Sequence, residues 1–209
     1  VVLDAAPSAD VTIAVSSDDL GEGTVSPSSL TLTPANWNAV SHIVTVTGIN
    51  DDLDDGDQAF SVVLAAASSS DTNYNTLNPA DVTITNTDND TAGFTITETD
   101  TTTTEGSGTA SFYIQLNSEP TANVTMGVSS DDIGEGTVSP SSLTLTPANW
   151  NAVSHIVTVT GINDDLDDGD QAFSVVLAAA TSSDTNYNTL NPADVTITNT
   201  DNDTAGFTI

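Results

Sequence analysis

The chain has no lysine, no arginine and no cysteine among its 209 residues. Against that absence stand 30 aspartates and glutamates, for a formal charge of −30 at neutral pH. Without basic side chains the chain cannot neutralise phosphates, which excludes nucleic-acid binding. The same deficit argues against attraction to anionic membrane surfaces. The lack of cysteine removes thiol catalysis, zinc–thiolate sites and disulfide stapling together. A small β-rich domain without staples often has another stabiliser, and a metal is the usual one. No apolar run approaches the roughly 18–20 residues of a membrane span, and no basic-then-apolar segment marks a signal peptide. A targeting signal, on this reading, lies outside these residues.

Hydrophobic residues make up 37% of the chain, enough for modest cores. So high a charge is also a mark of disorder, but here the acids are clustered and separated by patterned apolar segments, which disordered chains lack. The organising feature is a repeat. The stretch from Ser16 through "SSDDLGEGTVSPSSLTLTPANWNAVSHIVTVTGINDDLDDGDQAF" returns from Ser129, an offset of 113 residues, with only Leu20 changed to Ile133. Residues 11–96 and 124–209 differ at four of 86 positions: Ile13/Met126, Ala14/Gly127, Leu20/Ile133 and Ser68/Thr181. Two copies this alike predict two domains of one fold and suggest a longer array. The expected divisions are 1–91, a repeat lacking its first strand; 92–203, a complete repeat; and 204–209, the first strand of a following repeat.

Within 92–203 the apolar period is two, not 3.6. Phe94 and Ile96 alternate with threonine, and Phe112, Ile114 and Leu116, then Val124, Met126 and Val128, likewise fall at every second position. Leu143 and Leu145, Val157 and Val159, Phe173, Val175 and Leu177, and Val195 and Ile197 continue the pattern. Thr and Ser take most of the outward positions, where β-branched residues suit a pleated surface. Seven half-buried strands in about 110 residues predict an all-β fold, a tandem of seven-stranded Greek-key, immunoglobulin-like β-sandwiches.

The acids concentrate in loops: Glu98 and Asp100 after the first strand, Asp131, Asp132 and Glu135 after the third, Asp164 to Asp170 after the fifth, and Asp201 and Asp203 after the seventh. In an up-down sandwich, loops after odd strands share one end, so these acids are expected at one pole. Two carboxylates 4 Å apart repel by roughly 4 kcal/mol at an effective dielectric near 20. Several together, with no Arg or Lys anywhere in the chain, need a cation. Oxygen-only ligands on flexible loops suit a hard ion and favour Ca²⁺ over Mg²⁺. The competing reading is a solvating or salt-adapted acidic coat, which has no reason to gather at one pole. Neither an EF-hand loop nor a GGxGxD nonapeptide is present.

The segments "GFTITET", "VTVTGINDDLDDGDQAF" and "DVTITNTDND" resemble the Calx-beta domain, a module of sodium–calcium exchangers and of bacterial surface proteins. The resemblance covers the complete copy end to end. It implies Ca²⁺ ligands at Glu98, Glu135, Asp164, Asp168, Asp201 and Asp203, and in the first copy at Glu22, Asp51, Asp55, Asp88 and Asp90. Asn89 and Asn202 replace the middle acid of the closing triplet, and Gln58 and Gln171 stand where a ligand Glu is usual. Those changes keep oxygen donors but remove charge.

The expected function is a calcium-binding structural repeat of a long extracellular surface protein, a Ca-stiffened spacer in a bacterial adhesin whose partners are neighbouring repeats of its own chain. One alternative is a subunit of a self-assembling filament, sheath or surface layer, associating through an exposed edge strand. Another is a calcium-sensing regulatory module, which the near-identity of the copies weighs against. Nothing points to an enzyme. His42 and His155 are one strand position seen twice, no G-x-S-x-G elbow exists, and Trp37 and Trp150 read as packing residues without an aromatic platform for sugar. The sequons at Asn89, Asn123 and Asn202 fit chance in an Asn/Thr-rich chain.

Overall fold

A computed structural model of the chain describes residues 1–208. The chain divides into two compact units, Val1–Asp51 with Asp55–Asn89, and Asp52–Asp54 with Asp90 onward. Their boundary falls two residues before the one read from the repeat. All regular structure among the described residues is β, and none of it is a helix able to cross a membrane.

The second unit is a two-sheet sandwich. One sheet has the order β12 (Gly136–Ser139), β14 (Ile156–Gly161), β10 (Thr109–Leu116), β8 (Phe94–Asp100). The other runs β13 (Ser142–Leu145), β11 (Val124–Ser130), β15 (Gln171–Leu177), β16 (Val195–Thr200), β9 (Thr102–Thr104). Every pairing is antiparallel except β9 with β16, which is parallel. The strict alternation along β10 and β16 puts Phe112, Ile114, Val195 and Ile197 inside, where they join Val124, Met126, Leu145, Val157 and Val175 in one core. Such a side chain contributes about 1.5–3 kcal/mol when fully buried.

The unit therefore has nine strands, not seven. The seven apolar runs all form strands, and the two additions are β9 and β12. Both escape period-two reading because neither carries two inward apolar residues: β9 is all threonine, with only Thr103 buried, and β12 is Gly-Thr-Val-Ser. Gly136 in β12 faces the Phe173 ring so closely that a Cβ would lie 2.2 Å from its edge, so no larger residue fits there.

The first unit holds β1 (Val11–Ser17), β2 (Gly23–Ser26), β3 (Ser29–Leu32), β4 (Thr45–Gly48), β5 (Gln58–Leu64), β6 (Ser68–Ser69) and β7 (Val82–Asn86). They form a sheet of order β3-β1-β5-β7, with β6 beside β1, and a two-stranded sheet of β2 and β4. Its core is Val11, Ile13, Val15, Leu30, Leu32, Val62, Leu64 and Ala67. The sequence positions that would match β8, β9 and most of β10 fall before Val1. Val1–Leu3 match the end of β10 and keep its two backbone hydrogen bonds, from Val1 to His42 O and from Leu3 to Trp37 O, but form no strand. Residues 204–208 likewise form no strand, and Ile209 lies outside the described residues.

Polar groups lock the loop between β15 and β16. Tyr187, 1% exposed, donates its hydroxyl to Ser118 O at 2.7 Å and accepts from Ser118 N at 3.1 Å. Asp184, 6% exposed, accepts from Thr121 N at 2.7 Å and Asn186 N at 2.9 Å. Burial alone raises the Asp184 pKa, but these backbone donors outweigh it and hold the carboxyl below its ordinary 3.8. A lowered carboxylate gives stability that is present above its unfolded value and lost as pH falls through the folded one. Tyr187→Phe, which strands the Ser118 backbone groups, should cost about 1–3 kcal/mol in urea unfolding at pH 7. Asp184→Asn keeps one acceptor where two are used and should cost about 1.5–3 kcal/mol at pH 7. That deficit should shrink as the pH is taken below about 3.8, as read from unfolding curves across the acid range.

Candidate metal centre

Most acids of the loops are engaged by backbone N–H groups. Asp131 Oδ1 accepts from Ser174 N at 2.7 Å, Asp132 Oδ1 from Gly134 N at 2.9 Å, and Asp170 Oδ1 from Asp201 N at 3.1 Å. Asp167 Oδ2 accepts from Ala205 N at 2.6 Å. In a chain without bases, these donors are the main internal partners a carboxylate can find.

Three groups of acids remain convergent, each with one carboxylate oxygen per residue within 4.8 Å of the others: Glu22, Asp51 and Asp55 in the first unit, and Glu105, Asp201 and Asp203, and Glu135, Asp164 and Asp168, in the second. In the second unit the elements that supply them are the β9–β10 turn, the β11–β12 loop, the β14–β15 loop and the tail after β16. The two groups there neighbour one another, since the charges of Asp164, Asp201 and Asp203 all act on Glu105.

Glu98 is not among these residues. Strand β8 runs on to Asp100, so Glu98 sits exposed on the strand, opposite Phe112 beside a bulge. The chain then crosses through Thr101 to the other sheet as β9, and the acid that reaches Asp201 and Asp203 is Glu105, 3% exposed, at the end of that short strand. Its sequence signal is present, an acid ending the run T-T-T-T and followed by the turn Gly-Ser-Gly. It is hidden because β9 has no apolar alternation to announce a strand. Glu135, Asp164, Asp168, Asp201 and Asp203 come together as two groups. In the first unit Asp88 and Asp90 join no group among the described residues. Asp88 Oδ2 accepts instead from Gly56 N at 2.7 Å.

The electrostatics are uneven. Asp201 is held below its ordinary value by the N–H groups of Asp203 (2.7 Å) and Gly169 (2.7 Å). The strongest single influence on Glu105, the Asn202 N–H at 3.2 Å, lowers its pKa, but burial and the charges of Asp201, Asp164 and Asp203 together raise it. Asp203 is raised by burial first, then by Asp165, Asp201, Asp164 and Asp167. Its Oδ2 is buried and has no hydrogen-bond partner. A buried carboxylate oxygen without a donor, facing other carboxylates, has the chemistry of a ligand to a cation. The donor set is all oxygen, on loops that adapt, and this fits Ca²⁺.

Fold and site define the class: a tandem all-β repeat with convergent carboxylates at the ends of its strands. Residues 29–90 and 87–203 match the Calx-beta domain family, and the chain belongs to it. This is a family of structural, calcium-binding β-sandwich domains. Comparison with curated proteins finds no match. Among solved structures, domains 4 and 5 of the S-layer protein SbsC are similar at 11% identity and a TM-score of 0.32, covering 90% of this chain and 96% of that one. A likeness that loose carries no argument.

Asp203→Asn should weaken Ca²⁺ uptake in calorimetric titration and yet raise the melting temperature in chelator. A raised carboxyl gives its stability in full below its unfolded value, near 3.8, and loses it as pH rises through the folded one. In chelator the parent chain is therefore expected to lose stability on going upward from about pH 4, and Asp203→Asn to lose less.

Proposed function

We propose that the chain is a calcium-binding structural repeat of a long extracellular surface protein, a spacer whose modules are stiffened by Ca²⁺. The observation that carries this reading is the Glu105–Asp201–Asp203 group with its unpartnered, buried Asp203 oxygen. Asp203 is followed by Thr204 and then by Ala-Gly-Phe-Thr-Ile, the same run that opens the second copy at Ala92. Copies joined through a single threonine have no flexible linker between them. An ion bound to Asp203 is thus one residue from the next repeat, and Asp167 already accepts a hydrogen bond from Ala205. Neutralising the pole removes the repulsion that opposes a fixed junction, and loss of the ion restores it. Two nearly identical copies suit a spacer, which gains from uniformity. The base-free sequence leaves trypsin-like proteases nothing to cut after, which suits an extracellular setting.

Thermal unfolding with millimolar Ca²⁺ and with chelator, followed by small-angle scattering on the same samples, tests this. Free Ca²⁺ at one hundred times Kd should add about 2.7 kcal/mol per site. The expected result is a clear rise in Tm and a longer, narrower particle with Ca²⁺. Identical melting and scattering in both conditions would leave the acids as a salt-adapted coat.

A further inference from the structure

We propose that Asn199 and its counterpart Asn86 are positioning residues of the acid pole. Each is an uncharged amide that aims a glutamate at its metal group, and Asn199 also ties the two groups of the second unit together. The inference rests on the calcium reading and adds to it residues that ligate nothing.

Asn199 lies near the end of β16 and is 1% exposed. Its Nδ2 donates to Glu135 Oε2 at 3.2 Å and to Ile162 O at 2.9 Å, and its Oδ1 accepts from Thr103 Oγ1 at 3.0 Å. An amide has two N–H donors and one carbonyl, so all of its hydrogen-bonding groups are engaged. The partners also fix which way it faces: two acceptors meet the NH₂ end, and a hydroxyl donor meets the oxygen. The contact is close on the remaining side. A Cβ on Gly161 would lie 2.4 Å from Asn199 Oδ1 and 2.6 Å from Thr104 O, so a glycine makes the room.

The same arrangement recurs in the first unit. Asn86 Nδ2 donates to Glu22 Oε2 at 3.1 Å and to Ile49 O at 2.7 Å, and a Cβ on Gly48 would meet Asn86 Oδ1 at 2.5 Å. No β9 counterpart exists there, and Asn86 is only half-buried. Glu22 and Glu135 are the members of their groups that come from the β1–β2 and β11–β12 loops, and the amide bond anchors each of these loops to the closing strand.

Two features separate this role from ordinary core satisfaction. First, in a chain with 30 acids and no lysine or arginine, a neutral amide stands at this position in both copies. An aspartate of the same shape would turn a donor into a second charge against the glutamate. Second, Asn199 touches the segments that carry both groups of the second unit. Thr103 is two residues before Glu105, Asp201 is two residues after Asn199, and Glu135 belongs to the other group. Carboxylates that ligate a metal are themselves held by hydrogen bonds, and loss of such a bond typically weakens binding 10–100-fold.

The test is calcium titration calorimetry on the full chain, carrying paired substitutions so that both units change alike, with melting in chelator alongside. Asn86→Asp with Asn199→Asp is expected to lower Ca²⁺ affinity about 10–100-fold. Adding this pair to Glu22→Gln with Glu135→Gln should weaken binding no further than the glutamine pair does alone, because the amide acts through those glutamates. An affinity equal to the parent's, or losses that multiply in the fourfold variant, would overturn the proposal and leave the asparagines as core residues only. If the aspartate pair does not fold, Thr103→Val removes just the hydroxyl bond to Asn199. It should then reduce second-unit affinity about two- to tenfold, the size of one hydrogen bond, and an unchanged affinity would count against the coupling. A parent chain that takes up no Ca²⁺ would sink the calcium reading itself, whereas a parent that binds and an Asn86/Asn199 variant that binds equally well sink only this inference.

Discussion

Mutual repulsion of carboxylates in a chain with no lysine or arginine is the constraint on which the rest of the structure depends. Thirty acids and no lysine or arginine leave no internal salt bridge to relieve it. The chain relieves it in two ways. Many acids are turned onto backbone N–H groups, as Asp131, Asp167, Asp170, Asp184 and Asp194 are, and serve as caps on loops and strand ends. Nine acids converge in three small groups, some of them still accepting backbone N–H bonds, and their oxygen donors could hold a metal ion. The result is a sandwich whose aliphatic core supplies the fold and whose loops gather acids that could hold a metal ion.

The core and the pole are joined by uncharged residues. Asn199 and Thr103 are fully buried between the sheets, and through them the loop bearing Glu135, the end of β14 and the short strand β9 are fastened to β16. Such a network lets occupancy of the pole be felt by the strands beneath it, because buried polar networks hold one geometry when every member is satisfied. Here Asn199 is satisfied on all sides, while Asp203 Oδ2 has no hydrogen-bond partner. Membership of the Calx-beta family agrees with that division between a structural sandwich and a cation site at its end.

What the sequence by itself determined follows from periodicity and repetition. Apolar residues at every second position marked every long strand of the second unit, because a sandwich strand must present one face to the core. The duplication marked two units of one fold, since 82 of 86 matched positions leave no room for two folds. The lack of any base marked the acids as a problem to be solved by something outside the chain. Tertiary structure alone decided where the chain changes sheet and which acids meet. Strand β9 pairs parallel with β16 across some ninety residues, through threonines without an apolar signature, and that pairing brings Glu105 to Asp201 and leaves Glu98 behind on β8. The sorting of acids into caps and convergent groups, and the neutral amide beneath Glu135, likewise depend on distances between segments far apart in sequence. Local pattern records which face of a strand is buried, but not which distant strand lies beside it.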